Sequence, residues 1–199
     1  MSCVIGLVTK RGVMLGADSA ANDGNILIPN SFKKIIKKTT YFGGAGDNEI
    51  EFLIGTCGSM QIGSIVRNFL DIPRVENLSD LDGFMETTFL RFLHAAIVSS
   101  GYERDNYGEQ APLDEILVGV QHNLYFIDGN FGIASSMRGY DAIGSSREIA
   151  LGSLYTTRSM IDAPGPKECI LGALDAASSL TINVSAPYQI LEAKAVENA

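Results

Sequence analysis

A chain of 199 residues, 46% of them hydrophobic, can bury one sizeable core, and a single domain over residues 1–199 is expected. A net charge of -8, from 15 Lys and Arg against 23 Asp and Glu, argues against a nucleic-acid surface, because affinity for phosphate backbones comes from clustered basic residues. Three widely spaced cysteines argue against a disulfide framework or zinc site, and no apolar run nears the roughly 20 residues a bilayer demands, so a cytoplasmic protein is expected.

The opening MSCVIGLVTKRG lacks a basic stretch ahead of a long apolar one, so no secretory signal is read there. Residues 2–9 and 13–18 are apolar and rich in β-branched side chains, and the Lys10, Arg11, Gly12 break between them has the size of a hairpin turn. Further strands are expected at 33–38 and 51–57. From 59 to 70 the apolar residues Met60, Ile62, Ile65, Val66, Phe69 and Leu70 recur at helical spacing, with Ser59 as the cap. A second helix over 79–99, opened by Ser79 or Asp80, carries the stripe Met85, Phe89, Phe92, Leu93, Ala96 and Ile97.

A loop follows over 101–110, its acidic part at 103–109 read as solvated. Strands at 115–120 and 123–127, a turn at 128–130 and a short strand near Ile133 make a meander. Helical patterning returns at 146–159. Pro164, Gly165 and Pro166 punctuate, and a last helix over 167–180 buries Ile170, Leu171, Leu174 and Ala177 before a final strand near 188–191. Strands, two helices, strands, two helices and a strand form segregated blocks, which predicts an α+β fold of two antiparallel sheets covered by helical layers.

Ser2 follows the initiator methionine and precedes the first core strand. A small second residue permits methionine removal, and an α-amine titrates at about 7.7 to 8.0, so near neutral pH it can accept the proton of its own residue's hydroxyl. Nucleophile and base then come from one residue. Asp18 at the end of the second strand and Lys34 in the third are ionisable where a strand favours apolar side chains; burying either alone costs several kcal/mol, so the two are expected to pair. Only one of Lys33 and Lys34 can face such a site, and Lys37 and Lys38 are expected at the surface or at a strand end.

SCVIG at 2–6, GADS at 16–19, KKI at 33–35, IGTCG at 54–58 and AIGSS at 142–146 resemble, in order and over nearly the whole chain, the proteasome β-subunits and the HslV peptidase. That resemblance implies a four-layer αββα sandwich of the N-terminal-nucleophile hydrolase class, needing no cofactor and no metal. It puts Ser2 on the nucleophile, Lys34 on the lysine that lowers the amine's proton affinity, Asp18 on the aspartate that holds this lysine, Gly55 on the oxyanion glycine and Ser145 on the serine beside the terminal amine. It further implies that peptide binds as an added strand near Asn22 and Cys57, with Ala21, Leu53 and Cys57 shaping the pocket for the residue before the cut. The expected setting is a homo-oligomeric ring cleaving peptides or unfolded proteins that an ATP-dependent unfoldase can feed to it. The helices after Ser59 and Ser79 would be its ring contacts.

This chain departs from the family in three ways. Serine replaces threonine, losing the methyl that restrains the rotamer, so slower catalysis is expected. Thr181 and Val184 stand where proteasomes carry an aspartate and a serine. Met1, if retained, removes the base and leaves an inactive ring component; a small-molecule amidase of the same chemistry is the third reading. Cys3 as nucleophile would require loss of two residues, and its expected role is a small apolar side chain. His94 and His122 lack acidic partners at ligand spacing, the glycines at 43–46 lack a phosphate-loop ending, and Glu49 and Glu51 lack an opposing carboxylate pair.

Overall fold

The computed structural model describes residues 2–22, 27–28, 32–43, 48–101, 114–158 and 165–196. Met1, Pro164, the acidic loop at 103–109 and the glycine-rich residues 44–46 lie outside them. Strand β1 (Val4–Thr9) turns into β2 (Gly12–Ala17) with Val4 opposite Ala17 and Thr9 opposite Gly12, as the hairpin reading expects. On its other side β1 pairs with β10 (Tyr140–Ile143), a strand too short to stand out in the sequence, and β2 pairs with β11 (Gln189–Lys194). The four-stranded sheet runs β10-β1-β2-β11. A five-stranded sheet runs through β5 (Ile35–Tyr41), β6 (Glu49–Cys57), β7 (Glu115–Val120), β8 (Asn123–Ile127) and β9 (Ile133–Ser135), antiparallel throughout. Among the described residues, short β3 (Ala21–Asn22) and β4 (Leu27–Ile28) pair with each other in a separate two-stranded sheet.

Strand alternation sorts the apolar residues into three layers. Val4, Leu15, Ile35, Leu53, Leu117 and Ile143 fill the space between the sheets. Phe52, Ile54 and Val118 face outward against Ile62 and Val66 of α1 (Met60–Asn68) and Leu93 of α3 (Leu90–Ser99). On the other outer face Ile5 and Leu7 meet Ala150 and Leu154 of α4 (Arg147–Arg158) and Ile170 and Leu174 of α5 (Pro166–Leu180). Helix, sheet, sheet and helix thus stack as an αββα sandwich, an α+β fold.

Ser59 caps α1, its hydroxyl accepting the Gln61 N–H at 3.0 Å. The second helical stretch is less regular than its apolar stripe suggests. Asn77 caps a preceding turn by accepting the Ser79 N–H at 3.0 Å, and Asp80 holds the cap position of the first α-helical turn without a side-chain cap bond. A 3₁₀ turn (Leu78–Asp80), α2 (Leu81–Gly83) and a π-helical stretch (Phe84–Phe89) precede α3. The Thr87 hydroxyl donates to the Gly83 carbonyl, the acceptor an α-turn would give to the Thr87 N–H. Met85, Phe89, Leu93 and Ala96 are buried as expected, whereas Phe92 turns outward.

Lys37 is exposed and pairs with Glu51 at 2.8 Å. Lys38 departs from expectation: inside β5 it donates to the carbonyls of Arg67 at 2.9 Å and Leu70 at 2.6 Å, so a cation closes the end of α1. Burial there holds its ammonium below the usual lysine range, with Asp71 pulling the other way.

Candidate active site

The β1–β2 register carries the chain past the Val4 and Ala17 pair and sets Asp18 against Cys3. The Asp18 N–H donates to the Cys3 carbonyl at 3.2 Å, and the Cys3 N–H returns to Asp18 Oδ1 at 2.8 Å. The same oxygen takes Lys34 Nζ at 2.8 Å, and Oδ2 takes the Ala20 N–H at 2.7 Å. With side-chain exposures of 5% for Lys34 and 0% for Asp18, this ion pair is desolvated, and its tolerance rests on that full set of donors. Lys33 is exposed and Lys34 buried, as alternation requires.

Ser2 is buried one residue from this pair, and its nitrogen lies 3.4 Å from the Ser145 hydroxyl. Ser145 sits in the turn between β10 and α4. A cavity of about 60 Å³ opens at Ser2 and Lys34, with Ala21, Phe32, Thr56 and Met60 among its lining residues. Ser2, Asp18, Lys34 and Ser145 are therefore brought together, and Ala21 lies beside them. Asn22 follows in β3, its backbone in register with Leu27.

Gly55, Leu53 and Cys57 are not brought to the cavity. Successive residues of β6 face opposite ways, and the residues with odd numbers look between the sheets. Leu53 and Cys57 lie in that inner cluster, and a Cβ on Gly55 would sit 2.5 Å from Val4 Cγ1. Gly55 is also held mid-ladder between Ile35 and Leu117, so the oxyanion role does not fit its position. The opposite phase faces the cavity: Thr56 lines it, its N–H bonded to the Lys34 carbonyl at 2.9 Å, and Gly58 and Ser59 follow at the strand end. The Ser59 N–H is taken by Asp114 Oδ1 at 2.7 Å. Buried Thr56 Oγ1 has no hydrogen-bond partner among the described residues. Thr56, Gly58 and Phe32 escaped the sequence reading; the signal available for Thr56 was a hydroxyl two residues short of a glycine turn, in the apolar second half of its strand.

Burial, then the nearby Asp18 carboxylate, pushes the Cys3 thiol up to about 12 against a weaker pull from Lys34. Burial likewise raises Cys57, so both thiols stay protonated near neutral pH and neither supplies a thiolate nucleophile. Thr181 donates its hydroxyl proton to the Ala177 carbonyl at 3.0 Å, which leaves Ser146 to donate to Thr181 Oγ1 at 3.0 Å. Val184 packs in the core against α5. The following loop is tied to Asp18's neighbour by the Ser19 N–H on the Ser185 carbonyl at 3.1 Å and the Ser19 hydroxyl on the Pro187 carbonyl. His94 and His122 are exposed, the first against the Phe131 ring and the second near the Thr9 carbonyl. Among the described residues no three His, Cys, Asp or Glu side chains gather as metal ligands.

No protein-family model matches the chain. A proteasome subunit beta from Nanoarchaeum equitans (strain Kin4-M) is 28% identical over 159 residues, which cover 77% of this chain and 72% of that protein. Among solved structures, Thiobacillus denitrificans BPH superposes with a TM-score of 0.70 at 16% identity, covering 98% of this chain and 100% of that one. HslV from Trypanosoma brucei superposes with a TM-score of 0.64 at 15% identity, over 95% and 97% of the two chains.

Proposed function

The chain is a proteasome-like protein with the N-terminal-nucleophile hydrolase fold, and from that premise we propose that it is a peptidase subunit whose nucleophile is Ser2 after removal of Met1. The observation that carries this reading is the buried Lys34 and Asp18 pair: Asp18 is bonded to the Cys3 N–H next to Ser2, and Lys34 lines one cavity together with Ser2. A fixed cation beside an α-amine disfavours its protonated form, so the amine is available as a base. It takes the Ser2 hydroxyl proton as Oγ bonds the scissile carbonyl carbon. The proton passes to the leaving amine as the peptide bond breaks, and water then hydrolyses the acyl ester.

The oxyanion donor in this reading is the Gly58 N–H at the end of β6, in place of Gly55. Substrate lies as an added strand between the 21–22 segment and the 57–59 segment. The cavity fits a small side chain before the cut, and the unpartnered Thr56 hydroxyl offers it a hydrogen bond.

Two measurements test this together. Intact mass is expected to show a chain beginning at Ser2, and a fluorogenic peptide panel is expected to give turnover that Ser2→Ala lowers at least about 10³-fold. A mature chain that keeps Met1 favours a non-catalytic ring component, and turnover confined to small amides favours an amidase.

Assembly into a homo-oligomeric ring in the cytoplasm belongs to the same reading, with unfolded protein, delivered by an ATP-dependent unfoldase, as the substrate. The helical layer over the five-stranded sheet leaves Phe69, Phe92 and Val98 exposed, apolar surface suited to a neighbouring copy. Native mass spectrometry is expected to find a closed multiple of the chain; a stable monomer at micromolar concentration counts against the ring.

A further inference from the structure

The turn that carries Ser145 is tied down from the opposite sheet. Gly144 has a φ of 97°, and a Cβ there would lie 2.2 Å from the Ser2 carbonyl oxygen, so the turn's backbone rests directly on the backbone of Ser2. Its N–H donates to Glu115 Oε2 at 2.7 Å. The other carboxylate oxygen, Oε1, takes Arg147 Nη1 at 2.8 Å, and the Arg147 N–H closes back onto the Gly144 carbonyl at 3.1 Å. Glu115 opens β7, in register with Cys57, whereas Gly144 and Arg147 flank the turn between β10 and α4. One carboxylate of the five-stranded sheet therefore holds both ends of the 144–147 turn of the other sheet. It is well shielded, at 15% side-chain exposure against 44% for Arg147.

Ser145 itself is exposed, and its 3.4 Å approach to the Ser2 nitrogen is long for a hydrogen bond. A small displacement of the turn would end that approach and shift the surface on which Ser2 rests. We propose that Glu115, braced by Arg147, is a positioning residue for Ser2: it fixes the 144–145 turn and thereby the place and hydrogen bonding of the Ser2 nitrogen. This rests on the peptidase reading, because a nitrogen that serves as base must be held to within a fraction of an ångström, and a misplacement of about 1 Å can cost about 10²-fold in rate. Neither oxygen of Glu115 touches the cavity in which substrate is proposed to bind, so its carboxylate acts through the 144–147 turn on Ser2.

The test compares Glu115→Ala, Glu115→Gln and Arg147→Ala in the full chain, reading kcat and KM on a fluorogenic peptide and amide hydrogen exchange at Gly144 and Ser145. Glu115→Ala is expected to lower kcat at least tenfold, on the order of the misplacement effect, with KM held within about twofold and with faster exchange at Gly144. Glu115→Gln keeps an oxygen for the Gly144 N–H and is expected to recover most of kcat; it also stands in if the alanine variant fails to fold. A Glu115→Ala protein with unchanged kcat, a loss confined to KM, or unaltered exchange at Gly144 overturns the proposal. Absence of peptide turnover in the parent chain overturns the peptidase reading instead. Exchange at Gly144 then decides whether the tie itself exists.

Discussion

Replacing Lys34 by methionine is expected to abolish peptide cleavage and to cost about 3–5 kcal/mol of stability, the range for removing one partner of a buried ion pair. The cost falls on Asp18, whose side chain is fully buried and among the described residues keeps the Cys3 and Ala20 N–H donors once the ammonium is gone. Stability and activity separate in the double variant Lys34→Met with Asp18→Asn. A neutral amide still accepts one of those backbone protons, and a buried pair replaced as a whole is often close to neutral, so most of the lost stability returns. Activity does not return, because the cation beside Ser2 is still missing. Urea denaturation alongside a peptide assay reads both. A double variant that cleaves peptide at the parental rate would remove Lys34 from the mechanism, and a single variant as stable as the parent would contradict the buried pair.

The Lys34 and Asp18 pair was legible in the sequence for the reason that makes the variant costly: ions in an apolar strand stand out, and alternation decides which of Lys33 and Lys34 turns inward. The two-block order of strands and helices was legible for a similar reason, since amphipathic helices and the β1–β2 hairpin have periods that can be counted. The facing of β6 was not. From Phe52 to Cys57 both sides of the strand are buried, one against the other sheet and one against α1 and α3, so although Glu49 and Glu51 mark one face at its exposed start, neither face of FLIGTC is marked as the one that meets the cavity. The resemblance put Gly55, Leu53 and Cys57 at the site, and nothing local in the strand spoke against it; the structure puts Thr56 at the cavity.

Contacts between residues far apart in the chain were equally hidden. Gln189 exchanges two hydrogen bonds with the backbone of Ile35, at 3.2 and 3.0 Å, linking β11 to the opposite sheet beside Lys34. Glu115 reaches Gly144 and Arg147 in the same manner. No local pattern announces a polar side chain whose partners are 29 to 154 residues away.

Gly144→Ala is expected to lose nearly all activity and several kcal/mol of stability, on two physically separate grounds. At φ 97° a Cβ is strained whatever surrounds it, a cost of order 1–3 kcal/mol. The added carbon would also lie 2.2 Å from the Ser2 carbonyl oxygen and 2.8 Å from its carbon, backbone atoms that cannot swing aside as a side chain can. Relief therefore comes from moving the residues just before β1 or the 144–147 turn, and either motion separates Ser2 from Ser145 or from the Lys34 and Asp18 pair. Gly152 and Gly172 supply the contrast. Both are exposed on helices α4 and α5, and a Cβ on either meets nothing within 4 Å. There alanine is expected to raise stability by about 0.5–1 kcal/mol, the helical penalty of glycine, and to leave turnover unchanged. Thermal melts and the peptide assay on the three variants read this directly. An active Gly144→Ala protein as stable as the parent would mean that the turn does not rest on Ser2, and the tie through Glu115 would then have nothing to position.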